Sequence, residues 1–286
     1  MDVLYKGVAF GGKISVTVIE ATQMVNEAIR IHGLSPLAAA ALGRTMIAAT
    51  FMSSTLKSEE DRLSVTLSGD GVGGQIVVAG DAALNMRGYI DNPACDLPLN
   101  AKGKLDVAGC VGKGRLTVVK SMGLKEPYTG SCAIESGEIA EDFARYYAYS
   151  EQQPTAMALG VKVGKGNVCI GAGGVIFQAM PDADDESLKK AEELALSLTD
   201  VSSVMEKTGA DEFVKNTFSD YNYEKFTPKY HCLCSKEYID GILLTLGYDE
   251  LCDTCEKEGK VEVACHFCNK KYVYFRKDVD RLFGKG

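Results

Sequence analysis

The chain has 286 residues, of which 46% are hydrophobic and 24% charged, so it is long enough to bury a substantial core in one or two domains. Its formal net charge of −8 argues against general binding to nucleic acid or to an anionic membrane surface. The first residues, MDVLYKGVAFGGKISV, lack the basic and apolar regions of a secretory signal, and we therefore expect a cytoplasmic protein.

The N-terminal segment predicts a hairpin followed by two helices. Residues 3–10 and 14–20 are β-rich and are joined by Gly11-Gly12-Lys13, a hairpin signal. Residues 22–32 have helical periodicity, which ends at Gly33. The apolar segment 37–52 follows Ser35-Pro36, a helix-capping residue and a first-turn proline. Because it contains Arg44 and is short for a membrane span, we interpret it as a buried core helix.

The remainder of the N-terminal region mixes strands with a helix. Residues 138–152 predict a helix, and Glu138, Glu141 and Asp142 lie in its first turn, where carboxylates favour the helix dipole without a catalytic role. Short strands separated by glycine clusters are predicted at 63–68, 75–79, 86–90, 116–119, 129–134, 156–163 and 168–180. The expected fold class is α+β, with an N-terminal mixed sheet-and-helix domain over residues 1–180.

Residues 181–228 predict an acidic helical linker. The segment 182–228 carries 12 acidic and 5 basic side chains, a net charge of −7. Asp182 or Asp184 can cap its first amphipathic helix, and Thr208-Gly-Ala-Asp211 resembles a capping box before a later one. The simpler interpretation is a surface helical layer; the functional interpretation is a displaceable cover over an apolar surface.

Two glycine motifs do not support a nucleotide site. Gly69-Asp-Gly-Val-Gly-Gly74 fits G-x-G-x-x-G, but the β-prone segment 75–79 follows where a dinucleotide-binding fold needs a helix. Gly7 to Lys13 approaches a P-loop, but Ile14 stands where Ser or Thr should bind magnesium. G-x-S-x-G is absent and the histidines suggest no triad, so the sequence predicts no catalytic residue and no enzyme.

The cysteines fall into two groups. Four are scattered widely ahead of the C-terminal region and are predicted to be small buried apolar residues: Cys95, Cys110, Cys132 and Cys169. Six form close pairs in the predicted C-terminal domain, residues 229–286: Cys232, Cys234, Cys252, Cys255, Cys265 and Cys268. In a chain without a secretory signal, such pairs favour metal binding or redox chemistry over structural disulfides.

The strongest site signal is Cys232-Leu-Cys234 together with Cys265-His-Phe-Cys268. Zinc prefers four tetrahedral N or S ligands, and a close pair from each of two turns supplies them. Between the pairs, residues 236–246 predict a helix, while 261–263 and 272–275 predict a hairpin that carries the second pair. We therefore expect one Zn²⁺ per reduced chain.

The C-x-C pair also suggests redox sensitivity. Zinc keeps its thiol ligands deprotonated, and thiolates react with oxidants. Disulfide formation removes the ligands, and with them the folding energy of a small metal-dependent domain. A permanently closed structural zinc site remains the alternative.

The sequence resembles the redox-regulated heat-shock holdase chaperone family over nearly its whole length. The cysteine pairs at this separation are specific, and weaker motifs occur in the family's order: Ala41-Leu-Gly-Arg44, Arg87-Gly-Tyr89, Gly103-Lys-Leu-Asp106, Gly137-Glu-Ile-Ala-Glu-Asp142, Ser150-Glu-Gln152, Gly173-Gly174 with Gln178 and Pro181, His231-Cys-Leu-Cys-Ser235, and Cys265-His-Phe-Cys-Asn269 followed by Tyr272.

The resemblance implies an ATP-independent holdase that binds unfolding proteins under oxidative stress. It implies that the reduced, zinc-bound form is inactive, and that oxidation joins Cys232 to Cys234 and Cys265 to Cys268 and expels zinc. The C-terminal domain and the linker then lose structure, and homodimers bind clients through apolar surface.

Cys252-Asp-Thr-Cys255 departs from the family pattern. Six thiols allow other four-ligand sets, although the predicted helix 249–258 would place this pair on one of its faces. In that position both cysteines can stay free thiols, or simply pack against Leu243, Leu246 and Leu251.

Two other classes of protein remain as alternatives. A zinc-ribbon regulator of nucleic acid would need a basic C-terminal region, but residues 229–286 have a formal charge of 0. A thiol oxidoreductase would use Cys252 and Cys255 as its reactive pair.

Overall fold

Residues 1–123, 125–218 and 222–285 are described by the structure, a computed structural model. The chain divides into two units, Met1–His231 (unit 1) and Cys232–Gly286 (unit 2). The division into regions 1–180, 181–228 and 229–286 stays a prediction, and positions 219–221 of the predicted linker lie outside the described residues.

The elements of unit 1 are, in chain order, β1 (Val3–Ala9), β2 (Ile14–Glu20), α1 (Thr22–His32), α2 (Pro36–Ser53), β3 (Arg62–Gly69), β4 (Ile76–Asp81), β5 (Asn85–Ile90), α3 (Val107–Val111), β6 (Gly114–Ser121), β7 (Tyr128–Ile134), α4 (Ile139–Tyr146), β8 (Thr155–Val163), β9 (Cys169–Ala179), α5 (Asp185–Ser197), α6 (Val201–Lys207), α7 (Gly209–Thr217), β10 (Asn222–Phe226) and β11 (Lys229–Tyr230). Unit 2 contains α8 (Lys236–Leu246), α9 (Tyr248–Glu258), β12 (Val261–Ala264), β13 (Lys271–Tyr274) and α10 (Arg276–Leu282).

Unit 1 contains two sheets. The first is antiparallel, with strand order β10-β1-β2-β9-β8. The second has the order β11-β5-β4-β3-β6-β7, in which β11 runs parallel to β5 and the other pairs are antiparallel. The predicted α+β class is therefore confirmed.

Helix α2 is the centre of the core that both sheets share. Its side chains belong to one hydrophobic cluster with residues of β3, β4, β5 and β9. Ser35 caps its first turn by accepting a hydrogen bond from the Ala38 amide at 3.1 Å, and Pro36 occupies the first helical position. Arg44 is its one charged residue and pairs with Glu138 at 2.9 Å.

The N-terminal hairpin and the helices α1 and α2 form as the sequence predicts, and the strands β3 to β9 differ by a residue or two at their ends. The predicted helix over 138–152 is α-helical only to Tyr146 and continues as a π-helical turn, Tyr147–Glu151. This π-helical turn ends at Glu151, whose carboxylate accepts hydrogen bonds from the Tyr146 hydroxyl at 2.9 Å and from the Lys120 ammonium at 2.6 Å.

Other local expectations are wrong. Residues 222–226 belong to the segment predicted as helical, but they form β10, which hydrogen-bonds along the edge of β1. Gly7 permits this pairing, because a Cβ there would lie 2.1 Å from the Asn222 carbonyl oxygen. Thr208 precedes α7 but makes no capping bond, because its hydroxyl donates to the Val204 carbonyl instead. The short helices α3 and α10 were not predicted.

We expect Ser35→Ala to lower the free energy of unfolding of unit 1 by about 1 kcal/mol, because it removes the cap of the central helix. The matched control is Thr208→Ala, whose exposed hydroxyl makes no N-terminal capping bond to α7 and which should change stability by less than about 0.5 kcal/mol. Urea denaturation monitored by circular dichroism measures both. Equal effects of the two substitutions would contradict the assignment of Ser35 as the cap.

Candidate metal centre and covered sheet face

Four of the predicted site residues meet in unit 2. The thiols of Cys232, Cys234, Cys265 and Cys268 lie within 4.8 Å of one another, and all four residues are half-buried. The sulfurs of Cys234 and Cys268 are 3.3 Å apart, and those of Cys232 and Cys265 are 3.7 Å apart. Four sulfurs around a tetrahedral zinc at about 2.3 Å would be about 3.8 Å apart, so the cluster has the size that such an ion needs.

Two local turns position these thiols. Cys265 and Cys268 occupy the turn between β12 and β13, where the Cys268 and Asn269 amides donate to the Cys265 carbonyl at 3.3 and 2.8 Å. Asn269 completes the turn in the left-handed conformation, at φ 57°. Cys232 and Cys234 directly precede α8, whose N-cap Ser235 accepts a bond from the Tyr238 amide at 3.1 Å.

The acidities of the thiols differ across the cluster. Burial alone would raise the pKa of Cys234, but hydrogen bonds from the Tyr272 hydroxyl and from Cys268 lower that pKa to about 7. Burial raises the pKa of Cys232, and it raises the pKa of Cys268 to about 11. Cys234 therefore provides a thiolate, the form that binds metal and reacts with oxidants, more readily than Cys232 or Cys268.

Cys252 and Cys255 are not members of this group. They lie on one face of α9 and are buried in the core of unit 2 with Leu243 and Leu251, as the packing interpretation expects. The expectation for Leu246 is wrong, because this residue is 48% exposed. Burial raises the pKa of Cys255, which makes its thiol less reactive.

The cysteines of unit 1 are mostly where the sequence places them. Cys95, Cys110 and Cys169 are buried, whereas Cys132 is only half-buried. His32 contacts the Tyr230 hydroxyl at 3.2 Å, a structural contact.

A second feature of interest is the outer face of the five-stranded sheet. Apolar side chains of β1, β2 and β9 on this face form a hydrophobic cluster with α5, α6 and α7. The sheet side of the cluster consists of Val3, Tyr5, Ala9, Ile14, Val16, Val18, Val175 and Phe177, together with Ala158 of β8. The helix side includes Ala191, Leu198, Val201, Met205, Ala210, Phe213 and Val214. We call this surface the covered sheet face.

Polar contacts between the three helices and the sheet lie at the margins of the covered sheet face. Lys162 of β8 binds Glu206 of α6 at 2.6 Å, and Lys13 pairs with Asp184. The Glu20 carboxylate accepts a bond from the Ala210 amide at 2.9 Å. Exposed ion pairs contribute at most about 1 kcal/mol each, so apolar burial holds the helices in place.

Glycines of β9 let α6 lie directly on the sheet. A Cβ at Gly171 would be 2.3 Å from the Ser202 carbonyl oxygen, and one at Gly173 would be 2.7 Å from Met205. The role of these two glycines was not predicted; the run of glycines within the β-rich segment 169–179 is the signal that could have revealed it.

Comparison with known proteins gives consistent matches over nearly the full chain. A family model described as Hsp33 protein matches residues 2–275. A 33 kDa chaperonin of Acetivibrio thermocellus is 44% identical over 98% of this chain and 96% of its own, and one of Ruminiclostridium cellulolyticum is 40% identical over 98% and 97%. The crystal structure of a 33 kDa chaperonin from Thermotoga maritima has a TM-score of 0.89 at 35% identity and covers 99% of this chain and 97% of its own.

The fold, the four-cysteine cluster and these relatives define a redox-regulated molecular chaperone. The chain belongs to the Hsp33 protein family, and the resemblance seen in the sequence is confirmed. Among the described residues, no helix is both long and apolar enough to cross a membrane.

We expect Gly171→Ala to loosen the cover in the reduced protein, because the new methyl group would collide with backbone that cannot rotate away. Fluorescence of an apolar dye should rise roughly two- to threefold as the covered sheet face opens. Gly241→Ala is the control, since a Cβ there meets open space. Unchanged dye binding in Gly171→Ala, with α6 amides still protected from hydrogen exchange, would show that the close approach does not matter.

Proposed function

We propose that the chain is an ATP-independent holdase whose reduced, zinc-bound form is inactive and whose oxidised form binds unfolding proteins on the covered sheet face. The observation that carries the proposal is the cluster of four half-buried thiols, within 4.8 Å of one another, in the small unit Cys232–Gly286. A unit of that size rarely folds on its apolar core alone.

In the reduced state, Cys232, Cys234, Cys265 and Cys268 would hold one Zn²⁺ per chain. When bound, the ion would supply four bonds to thiolates and thereby tie the segment before α8 to the β12–β13 turn. The half-buried positions of these cysteines leave the cluster within reach of small oxidants.

Oxidation would remove this link. In each pair, two thiols give two electrons and two protons to hydrogen peroxide, so that one disulfide and two water molecules form. The family resemblance pairs Cys232 with Cys234 and Cys265 with Cys268. Sulfur contacts of 3.7 and 3.3 Å join the other combination, Cys232 with Cys265 and Cys234 with Cys268, which makes that pairing the alternative to test.

Loss of unit 2 would destabilise the acidic cover through the continuous chain. The segment 182–228 has a net charge of −7, and self-repulsion along the segment opposes its docking once apolar contact with the sheet weakens. Once α5, α6 and α7 leave, side chains such as Val16, Val175 and Phe177 are available to apolar segments of unfolded clients. Oxidised chains would form homodimers, which enlarge the apolar surface.

The proposal includes a cytoplasmic location and a client-binding role without thiol-oxidoreductase activity. A reducing compartment would keep the four clustered cysteines as thiols that can bind zinc. A thiol oxidoreductase acting through Cys252 and Cys255 is disfavoured, because reactive cysteines are accessible and of low pKa, whereas both of these are buried.

Zinc content tests the ligand assignment. We expect wild-type reduced protein to contain one Zn²⁺ and Cys265→Ser/Cys268→Ser to contain none, because two remaining thiols cannot hold a structural ion. Cys252→Ala/Cys255→Ala is the matched control and should retain one Zn²⁺. A colorimetric chelator measures the released metal. Stoichiometric zinc in the first variant, or its loss in the second, would overturn the four-ligand set.

Light scattering from a thermally unfolding client tests the switch. Treatment with hydrogen peroxide and mild heat should release zinc, increase dye binding and suppress client aggregation without ATP. The reduced zinc form should suppress it at least about tenfold less well, since its apolar face is covered. Equal suppression by both forms would be incompatible with the proposal. Disulfide mapping of the oxidised chain then distinguishes the two pairings.

A further inference from the structure

Two buried cysteines of unit 1 are in contact although different segments carry them. Cys95 lies in the loop that follows β5, and Cys110 lies in the short helix α3. Their sulfur atoms are 3.6 Å apart, and the residues are 4% and 0% exposed. The sequence alone predicts two separate apolar residues, because nothing in their spacing indicates that they meet.

The backbone on both sides holds these thiols against each other. The Cys95 carbonyl accepts a bond from the Ser35 hydroxyl at 2.5 Å, and the Ser35 amide donates to the Pro93 carbonyl at 2.7 Å. The Cys110 carbonyl accepts a bond from the Gly73 amide at 2.9 Å. Gly73 also makes room for the pair, because a Cβ there would be 2.7 Å from the Cys110 sulfur.

We propose that Cys95 and Cys110 are a second redox site of this protein, which forms an intramolecular disulfide inside unit 1 under sustained oxidation. A disulfide needs a sulfur separation of about 2.0 Å, so the two side chains must approach by about 1.6 Å from their present contact. The bond would connect the loop after β5 to α3 across the N-terminal end of α2.

The reaction balances with a peroxide as the oxidant. One thiol reacts as its thiolate with the peroxide and gives a sulfenic acid and water, and the second thiol displaces water from that sulfur to form the disulfide. Burial raises the pKa of Cys110, which disfavours the thiolate. Reaction therefore requires opening of the loop between β5 and α3, whose residues Asp96 and Leu99 are already exposed.

This disulfide would stabilise unit 1, whereas oxidation of the C-terminal cluster would destabilise unit 2. It would close the loop between residues 95 and 110, whose Cys95 carbonyl already accepts a bond from Ser35 at the start of α2, and so it would restrict unfolding of unit 1. Because both thiols are buried, whereas the four clustered thiols are half-buried, it would form later than the C-terminal disulfides.

A time course on the full-length chain tests the proposal. Protein is treated with hydrogen peroxide at a mild heat-stress temperature, quenched with N-ethylmaleimide under denaturing conditions, digested and mapped by mass spectrometry. We expect a peptide pair linked through Cys95 and Cys110, which accumulates at least about tenfold more slowly than the C-terminal disulfides. The melting temperature of unit 1 should rise as this species accumulates.

Three variants make the result specific. Cys110→Ala and Cys95→Ala should each abolish the linked peptide and the late rise in melting temperature, while Cys169→Ala, an equally buried thiol on β9, should abolish neither. Recovery of Cys95 and Cys110 as alkylated thiols after the C-terminal thiols are consumed would overturn the proposal. Linkage of either residue to a different cysteine would overturn it as well. None of these outcomes depends on zinc content or chaperone activity, so failure here leaves the proposed function untouched.

Discussion

The five-stranded sheet is apolar on both of its faces, and this single condition determines what has to cover it. The inner face packs on α2, which is buried along almost its whole length and has one charged residue, Arg44, neutralised by Glu138. Exposing that helix would cost a free energy of about 25 cal/mol for each Å² of apolar surface transferred to water. The inner face is therefore permanently closed.

The outer face is covered in a different way. Helices α6 and α7 have 7 and 9 residues, which is too short for a stable helix in isolation. They hold their structure only while they are docked, so undocking and unfolding are one event. Their polar surfaces are compatible with water in either state, and the ion pairs at their margin are exposed and weak. A sheet with one permanent and one removable cover can expose an apolar surface without losing its core.

In unit 2, the hydrophobic core and the cysteine cluster are in direct contact. Two of the buried core side chains are tyrosines with polar partners: Tyr272 donates to Cys234 at 3.3 Å, and Tyr274 donates to Asp240 at 2.7 Å. The hydroxyl of Tyr272 thus joins the core to the cluster directly. A change at the thiols is transmitted to the core of unit 2 without passing through a long chain of contacts.

The elements that could be predicted from the sequence are those whose signals are local. Ser35-Pro36 with the apolar segment after it specifies α2, and the cysteine spacing specifies the cluster, because in both cases the residues that matter are close in the chain or have one strongly preferred chemistry. Strand β10 was missed, since its pairing with β1 depends on close approach at Gly7, which no local pattern reveals. The contact of Cys95 with Cys110 was missed for the same reason: Gly73 and Ser35 create it from separate parts of the chain.

The ten thiols of this chain show how surroundings, rather than residue type, decide cysteine chemistry. In the cluster, hydrogen bonds from Tyr272 and Cys268 outweigh burial and bring the pKa of Cys234 to about 7, and solvent can reach the sulfurs, so metal binding and oxidation compete for the same thiolates. On α9, burial raises the pKa of Cys255, and the side chain serves as an apolar core residue. Under the proposed function, oxidation at the cluster would remove a link between two segments of unit 2, whereas a disulfide inside unit 1 would add to a core that is already complete. The same two-electron reaction would then unfold one unit of a chain and restrain the other, in the order in which solvent reaches the thiols.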